Sequence, residues 1–166
     1  WSIYSIGIII FSFRFFKNLF EIFKKIKSNI NYKNNNFINV LLNDFVHPHT
    51  FFKYIFLNKT KYENNQIPKE VILHEQAHAN QKHALDIILI EALQVLFWFN
   101  PLFYIIKKDI KLNHEFLADR TVINSGFNTK QYQQLLLAFS SNAADIPLAN
   151  AINYSSIKKR FTVMKT

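Results

Sequence analysis

The segment His74-Glu75-Gln76-Ala77-His78 carries the residue types that a zinc-dependent hydrolase needs. On a helix, two histidines four residues apart lie on one face, about 6 Å apart along the axis, which suits two corners of a tetrahedral zinc site. Glu75 lies beside them, where a carboxylate can hold a metal-bound water and accept its proton. The spacing therefore predicts His74 and His78 as metal ligands and Glu75 as the catalytic general base.

A catalytic zinc site also needs a third protein ligand, and residues 113–119 offer one. We choose Glu115, because Asp119 follows one helical turn later and can accept a hydrogen bond from the non-metal nitrogen of a ligating histidine. Asp119 would thus orient a ligand without touching the metal. Two alternatives stay open. His114 could be the third ligand, although on a helix it points about 100° away from Glu115, or Glu115 and Asp119 could simply line a solvated helix face.

The other histidines are not expected to bind the metal directly. If the helix continues past His78, His83 lies about 140° round the axis and cannot share the ligand geometry without distortion. Together with Asp86 it could still assist the site or a substrate channel. His47 and His49 lie in a predicted turn with no third ligand nearby in sequence, so we expect them to be structural or exposed.

The elements between His78 and Glu115 must bring these two residues together. Residues 84–106 are nearly continuously apolar, about 20 residues, which is long enough for one membrane span. A straight span would separate the two side chains by more than the hydrocarbon thickness of about 30 Å. The Asn-Pro pair at 100–101 should reverse the chain, because proline removes a backbone donor and disfavours helix at the preceding residue. We therefore predict a helical hairpin, with Trp98 and Phe99 at its buried tip.

The remaining pattern predicts a mainly helical chain with a small β element. Phe and Ile recur among Lys at helical spacing over residues 11–30, and an Asn-rich stretch then ends the helix. Residues 37–57 favour a short hairpin or edge strands, and residues 58–66 a polar loop. A long helix should begin near Ile67, and residues 128–139 should form a capped amphipathic packing helix.

Charge and apolar content at the start of the chain favour membrane association. Residues 1–13 are apolar, and we expect them to be the end of a transmembrane segment. The basic stretch that follows has the bias typical of a cytoplasmic membrane face. We therefore divide the chain into residues 1–33, the end of a transmembrane segment with a basic juxtamembrane helix, and residues 34–166, a zinc metallopeptidase domain. The late Lys158-Lys159-Arg160 cluster is expected to face lipid headgroups or solvent.

The overall composition limits the alternatives. Of 166 residues, 49% are hydrophobic and 16% aromatic, which excludes a disordered tail. Cysteine is absent, so a disulfide framework and a thiolate zinc site are excluded, and histidines and carboxylates remain as ligands. The net charge of +9 would also suit nucleic acid. Direct nucleic-acid binding is not expected, because the lysines cluster beside apolar segments and no nucleic-acid motif is recognised.

Several short motifs accompany the two histidines along nearly the whole chain. They are Gln81-Lys82-His83 with Asp86, Trp98-Phe99-Asn100-Pro101, Asn113-His114-Glu115 with Ala118-Asp119, and Ser156-Ile157-Lys158-Lys159-Arg160 with Met164. In these motifs the chain resembles the BlaR/MecR-type integral-membrane zinc metallopeptidases, which act as antibiotic sensor-transducers. The resemblance implies a gluzincin-type site with Glu115 as third ligand, facing the cytoplasm at a bacterial inner membrane. It also implies transmembrane helices, and any sensor domain, outside these 166 residues.

The sequence therefore predicts a mainly α, zincin-like and membrane-associated domain with a small β element and one zinc ion. The expected activity is that of a zinc metalloendopeptidase acting on a protein or peptide. The resemblance implies regulated cleavage of a cytosolic repressor or of the protein itself. The alternative is a signalling relay, in which a structural zinc site couples helix movement to a partner with little turnover.

Overall fold

The computed structural model of this protein describes residues 1–44, 46–141 and 156–164. In chain order the elements are α1 (Ser2–Ser28), β1 (Ile30–Asn34), β2 (Phe37–Leu42), β3 (His49–Phe51), β4 (Tyr54–Asn58), α2 (Lys59–Glu63), α3 (Lys69–Asn80), α4 (His83–Leu96), α5 (Leu102–Asn124) and α6 (Thr129–Ser141). A short helix over residues 156–163, here α7, follows. The prediction of a mainly helical chain with a small β element is confirmed.

The four strands form one sheet in the order β1-β2-β4-β3. β2 and β4 are parallel, and the outer strands β1 and β3 pair with them antiparallel. Strands within residues 37–57 were predicted, but β1 in the Asn-rich stretch was not. All five β1 residues are exposed, so the strand has no buried face, and asparagine, which fills two of its five positions, has low strand propensity.

Both faces of the sheet are covered by helices. Successive residues of β2 and β4 point to opposite faces, as the strand period of two requires. On the face toward α1, Val40, Leu42 and Phe56 pack against Ile22 and Ile26. The opposite face, toward α2 and α3, buries Leu41, Ile55 and Leu57. Each fully buried aliphatic or aromatic side chain contributes about 1.5–3 kcal/mol, so the sheet fixes α1 and α3 on its two sides.

The long helix predicted from Ile67 is in fact two helices. α3 begins at Lys69, close to the predicted start, but it ends at Asn80, and α4 begins at His83. The break falls at Lys82, whose φ of 55° is left-handed and incompatible with a continuing right-handed helix. α4 therefore leaves in a new direction, and the helical angle expected between His78 and His83 does not apply.

The predicted helical hairpin is confirmed. α4 ends at Leu96 and α5 begins at Leu102, and the two helices pack against each other. The tip differs from the prediction, because Phe99 is 61% exposed. Trp98 is half-buried against α1 at Gly7, where any Cβ would clash with the indole ring. α1 thus contacts both residues of the tip, since the Phe99 ring also meets the Tyr4 ring of α1 edge to face at a centroid distance of 6.1 Å.

Two further segments differ from, or extend, the sequence expectations. Residues 58–66 contain the five-residue helix α2, capped by the Asn58 side chain, where only a loop was predicted. Among the helices of the described residues, none is both long and apolar enough to cross a membrane, so the expected transmembrane segment finds no support there. The cap of α6 is as predicted, since the Asn128 side chain accepts a hydrogen bond from the backbone N–H of Gln131.

Candidate metal centre

The motif residues lie on α3, and Glu115 lies on α5, which packs against it. His74 and His78 are one turn apart, and their Nε2 atoms approach to 3.1 Å. Glu115 reaches them from the other helix, with carboxylate oxygens 3.4 Å from Nε2 of His74 and 3.6 Å from Nε2 of His78. Within the described residues, these three side chains form a group that could hold a metal ion, with ligand atoms within 4.8 Å of one another.

The spacing of these side chains suits a small divalent metal. Ligand atoms about 2.0–2.1 Å from a tetrahedral zinc ion lie about 3.3 Å from each other. The two Nε2 atoms are 3.1 Å apart, and each lies close to that distance from a different Glu115 oxygen, at 3.4 Å for His74 and 3.6 Å for His78. Two imidazoles and one carboxylate are ligand types that zinc accepts, and three protein ligands leave a fourth position open. The donor set and its geometry therefore fit the predicted ion.

Glu75 lies on the same helix and is buried, with 7% of its surface exposed. The hydroxyl of Thr50, on the edge strand β3, donates to Glu75 Oε2 at 2.7 Å. Burial raises the pKa of Glu75, although the charge of His74 and the Thr50 hydrogen bond act in the opposite direction. A carboxylate with a raised pKa is a better proton acceptor, which suits the role predicted for Glu75.

The outer nitrogen of His74 meets a tyrosine and a carboxylate. His74 Nδ1 is 2.9 Å from the Tyr132 hydroxyl and 3.3 Å from Asp119 Oδ1. The Tyr132 hydroxyl in turn donates to Asp119 Oδ1 at 2.8 Å. Asp119 therefore lies where its predicted role needs it, and Tyr132 joins it as a partner of the same ring. The sequence placed Tyr132 only in a packing helix, whereas it is 1% exposed and hydrogen-bonded in the site.

Arg160 of α7 completes this side of the centre. Its Nε and Nη2 donate to the two carboxylate oxygens of Asp119 at 2.7 and 2.6 Å, and its Nη1 lies 2.9 Å from Glu115 Oε2. The expectation that Arg160 faces headgroups or solvent is wrong, since its side chain is only 11% exposed. A guanidinium matches a carboxylate in two parallel hydrogen bonds, and buried Asp119 together with half-buried Glu115 provides a strong reason for it to turn inward.

The outer nitrogen of His78 has a different kind of partner. His78 Nδ1 lies 2.8 Å from Nδ1 of His83, the first residue of α4. The ring of His83 stacks on that of His114, with centroids 3.9 Å apart and planes inclined by 6°. His114 Nε2 lies 2.9 Å from Asp86 Oδ2. His114, the rival third ligand, is thus directed toward Asp86, and Glu115 is the residue that joins the metal-ligating group.

The two histidines of the motif differ in proton affinity. Burial lowers the pKa of His74, but hydrogen bonds with Asp119 and Glu115 outweigh it and raise that pKa to about 9. Burial and the charge of His74 lower the pKa of His78 to about 3. Burial acts to raise the pKa of Glu115, yet the His74 hydrogen bond and the charge of Arg160 bring it down to about 2. Without metal at neutral pH, the proton therefore resides on His74.

A cavity of about 650 Å³ opens in front of these residues. His74, Glu75, His78 and Glu115 all line it. Its remaining wall is largely apolar and comes from six helices and the β3 region, with Leu19, Ile22, Ile87, Ile88, Leu136 and Phe139 among the lining side chains. His47 and His49 are exposed and also line the cavity, but they do not belong to the group that could hold a metal ion. The cavity is large enough for several side chains of a peptide.

The comparisons with known proteins agree with the geometry of the centre. The helices and their side chains define a helical domain with a two-histidine, one-glutamate group that could hold a metal ion beside a buried glutamate, an arrangement typical of metallopeptidases. The sequence profile described as BlaR1 peptidase M56 matches residues 12–164, and the chain belongs to this family. The Regulatory protein BlaR1 of Staphylococcus aureus is 32% identical over 108 residues. That alignment covers 62% of this chain but only 18% of the relative.

Three residues of the centre were missed by sequence reasoning: Thr50, Tyr132 and Arg160. Arg160 belongs to a motif on which the family resemblance rests, and this was the available indication that it does more than face solvent. His83 belongs to another such motif, but it was set aside on the assumption of a continuous helix. Thr50 and Tyr132 carried no indication, because a threonine in a strand and a tyrosine on an amphipathic helix are common in any core.

Proposed function

We propose that this chain is the catalytic part of a zinc-dependent endopeptidase. The observation that carries the proposal is the placement of buried Glu75 beside the His74, His78 and Glu115 group, at the wall of a cavity that a peptide could enter. In the proposed roles, the two histidines and Glu115 hold the metal, Glu75 is the general base, and Asp119 orients His74. A buried carboxylate next to an open metal position is the arrangement that metal-assisted hydrolysis requires.

The roles of the side chains follow from their contacts. When bound, zinc supplies a Lewis acid and lowers the pKa of its water to about 7. Glu75 would accept a proton from the attacking water, and Thr50 keeps the carboxylate oriented by its 2.7 Å hydrogen bond. Glu75 can then pass the proton to the leaving amine. Tyr132 and Asp119 hold His74 from behind, and the apolar cavity wall excludes water from the bound peptide.

The proposed biological setting comes from family membership and from the basic, apolar start of the chain. The substrate is a protein, either a transcriptional repressor or the chain itself, and cleavage transmits a signal. Residues 1–33 would anchor the chain at a bacterial inner membrane, residues 34–166 would form the peptidase domain facing the cytoplasm, and a sensor domain would lie outside this segment. The exposed isoleucine and phenylalanine side chains of α1, among them Ile3, Ile9, Phe13, Phe16 and Phe20, support contact with lipid.

A zinc-dependent cleavage assay tests the enzymatic proposal. The purified chain, with and without stoichiometric zinc, is incubated with a library of quenched fluorescent peptides that carry apolar residues at varied positions. We expect cleavage that needs zinc, stops with a chelator and disappears in Glu75→Gln. Zinc binding with no cleavage of any peptide or of the chain itself would favour the alternative, a relay module with a structural zinc site.

Cysteine labelling tests the membrane setting in this cysteine-free chain. Asn80 and Asn113 are both exposed, at the end of α3 and on α5, so single cysteines there should be reachable by an impermeant thiol reagent. In the membrane-inserted protein both should label from the cytoplasmic side. A cysteine at Phe99, which this chain leaves 61% exposed, should be shielded by lipid. Labelling of Asn80→Cys and Asn113→Cys from opposite sides would contradict the proposed topology.

A further inference from the structure

The imidazole ring of His83 is fixed from both sides. Its Nδ1 is 2.8 Å from Nδ1 of His78, and its face lies on the ring of His114 at a centroid distance of 3.9 Å. His114 is itself held, because its Nε2 lies 2.9 Å from Asp86 Oδ2. His83 is 5% exposed and His114 6% exposed, so solvent does not compete for these contacts. Asp86, His114, His83 and His78 therefore form a connected row that ends at the candidate metal centre.

The direction of the His78–His83 hydrogen bond follows from the metal site. His78 points Nε2 at the proposed metal position, so a bound metal occupies that nitrogen's lone pair. A neutral imidazole then carries its proton on Nδ1. Nδ1 of His78 must therefore donate, and Nδ1 of His83 must accept. His83 is left with its own proton on Nε2, and no partner for that buried atom is found in the described part of the chain.

We propose that His83 is a positioning residue, which accepts a hydrogen bond from Nδ1 of His78 and so fixes this ring for the metal. The inference rests on the proposed metal site. Partners of this kind set the tautomer and orientation of ligating histidines, and their loss typically weakens metal binding about 10–100-fold. A carboxylate or a backbone carbonyl usually takes this position, and here a neutral imidazole held by stacking takes it.

Two substitutions separate positioning from simple packing. His83→Phe keeps a flat ring that can stack on His114, but it removes the acceptor. His83→Asn removes the stacked ring but keeps a neutral acceptor close to the position of Nδ1. A packing role predicts that the phenylalanine variant is the milder of the two, and a positioning role predicts the reverse. His49→Phe makes the same change at an exposed histidine outside the metal-ligating group and serves as the control.

The measurements are zinc affinity, by competition with a chromophoric chelator, and the visible spectrum of the Co²⁺-loaded protein. We expect His83→Phe to bind zinc about 10–100-fold more weakly and to show an altered Co²⁺ spectrum. His83→Asn and His49→Phe should stay close to wild type in both. Wild-type affinity and spectrum in His83→Phe would overturn the inference. If the wild-type chain itself bound no zinc, the proposed function would fail, which is a separate outcome.

A measurement on the wild-type chain makes the test independent of how the variants fold. In the zinc-loaded protein, histidine ¹⁵N spectra distinguish a protonated from an unprotonated ring nitrogen, and the signals of His83 are those absent from His83→Asn. If that variant does not fold, ¹⁵N–¹⁵N coupling across the His78–His83 hydrogen bond identifies the pair directly. We expect His83 to be protonated at Nε2 and to accept at Nδ1. A proton bonded to Nδ1 of His83 would overturn the inference.

Discussion

The two motif histidines lie one turn apart on α3, yet their outer nitrogens are held by opposite kinds of chemistry. Behind His74 is a charged assembly, in which the Tyr132 hydroxyl links the ring to Asp119 and Arg160 clamps that carboxylate. Behind His78 is His83, a neutral aromatic ring stacked on another. Burial lowers the pKa of His74, but hydrogen bonds with Asp119 and Glu115 outweigh it and raise that pKa to about 9, whereas burial and the charge of His74 lower the pKa of His78 to about 3.

This difference teaches how the centre is assembled. The charged side of the centre consists of Asp119, Tyr132 and Arg160 behind His74, which come from α5, α6 and α7. It therefore exists only when distant parts of the chain have packed together. The direct partner of His78 is five residues away, beyond one helix break. We therefore expect the charged side to control the protonation of His74 and the stability of the fold. The neutral side, His83 stacked on His114, should control mainly the orientation of the His78 ring.

Removing either histidine should have the largest effect, because it deletes a ligand and leaves two protein groups for the metal. We expect His74→Ala and His78→Ala each to lose stoichiometric zinc, measured by metal analysis after dialysis. His49→Ala, at an exposed histidine outside the ligand group, is the control. Full zinc content in either α3 variant would contradict the site.

Arg160→Met should be the most damaging change on the charged side outside the ligands. It leaves Asp119 and Glu115 without their buried cation, and breaking a buried ion pair in this way costs about 3–5 kcal/mol. The free energy of unfolding, from chemical denaturation of the metal-free chain, checks this. Lys159→Met removes an exposed cation from the same helix and should change little. Equal effects of the two substitutions would show that Arg160 does not stabilise the charged side.

Glu75→Gln should impair catalysis without disturbing the partners of His74 or His78. The amide keeps the size of the side chain and can still pair with Thr50, but it cannot accept a proton. We expect zinc to be retained and peptide hydrolysis to fall at least about 100-fold, since a general base typically contributes 10²–10⁴-fold. Near-normal turnover at full zinc occupancy would remove Glu75 from the mechanism.

Asp119→Ala should weaken zinc binding or activity by about 10–100-fold, the usual effect of losing an outer partner of a ligand. Asp119 is 1% exposed and bonded to Tyr132 and Arg160, so unfolding must be monitored in parallel. Asp119→Asn keeps the shape and should fall between wild type and alanine. The zinc affinities of Asp119→Ala and His83→Phe can then be compared directly, because each variant removes the outer partner of one ligating histidine. An unchanged zinc affinity in Asp119→Ala would leave only a structural role.

Measured per pH unit, the smallest expected effect is on the pH dependence of zinc binding, and it belongs to the charged side alone. The folded, metal-free protein raises the pKa of His74 from 6.5 to about 9, so the stabilisation from its proton is complete below pH 6.5 and is lost as pH rises through 9. Zinc must displace this proton, so its affinity should rise about tenfold per pH unit over this range. Proton release on zinc binding, measured calorimetrically in two buffers, checks this. An affinity that stays constant between these pH values would show that His74 is already neutral.

The sequence by itself determined the parts of the centre that depend on local geometry. Four-residue spacing on a helix puts His74 and His78 on one face whatever surrounds them, and the Asn-Pro pair at 100–101 reverses the chain because proline cannot continue the hydrogen-bond ladder. Together these patterns predicted that Glu115 would return to the pair. The Asn-rich strand β1 was beyond this reasoning, because it buries none of its residues and owes its conformation to pairing with β2.

Only the tertiary structure decided what stands behind the two rings. Lys82 adopts a left-handed conformation that ends α3, and this bend turns His83 back toward His78, where a continuous helix would have carried it away. Arg160 turned inward because its guanidinium could reach both buried Asp119 and half-buried Glu115. A side chain's hydrogen-bond partners depend on which distant segments are packed beside it, and residue spacing along the sequence does not record that proximity.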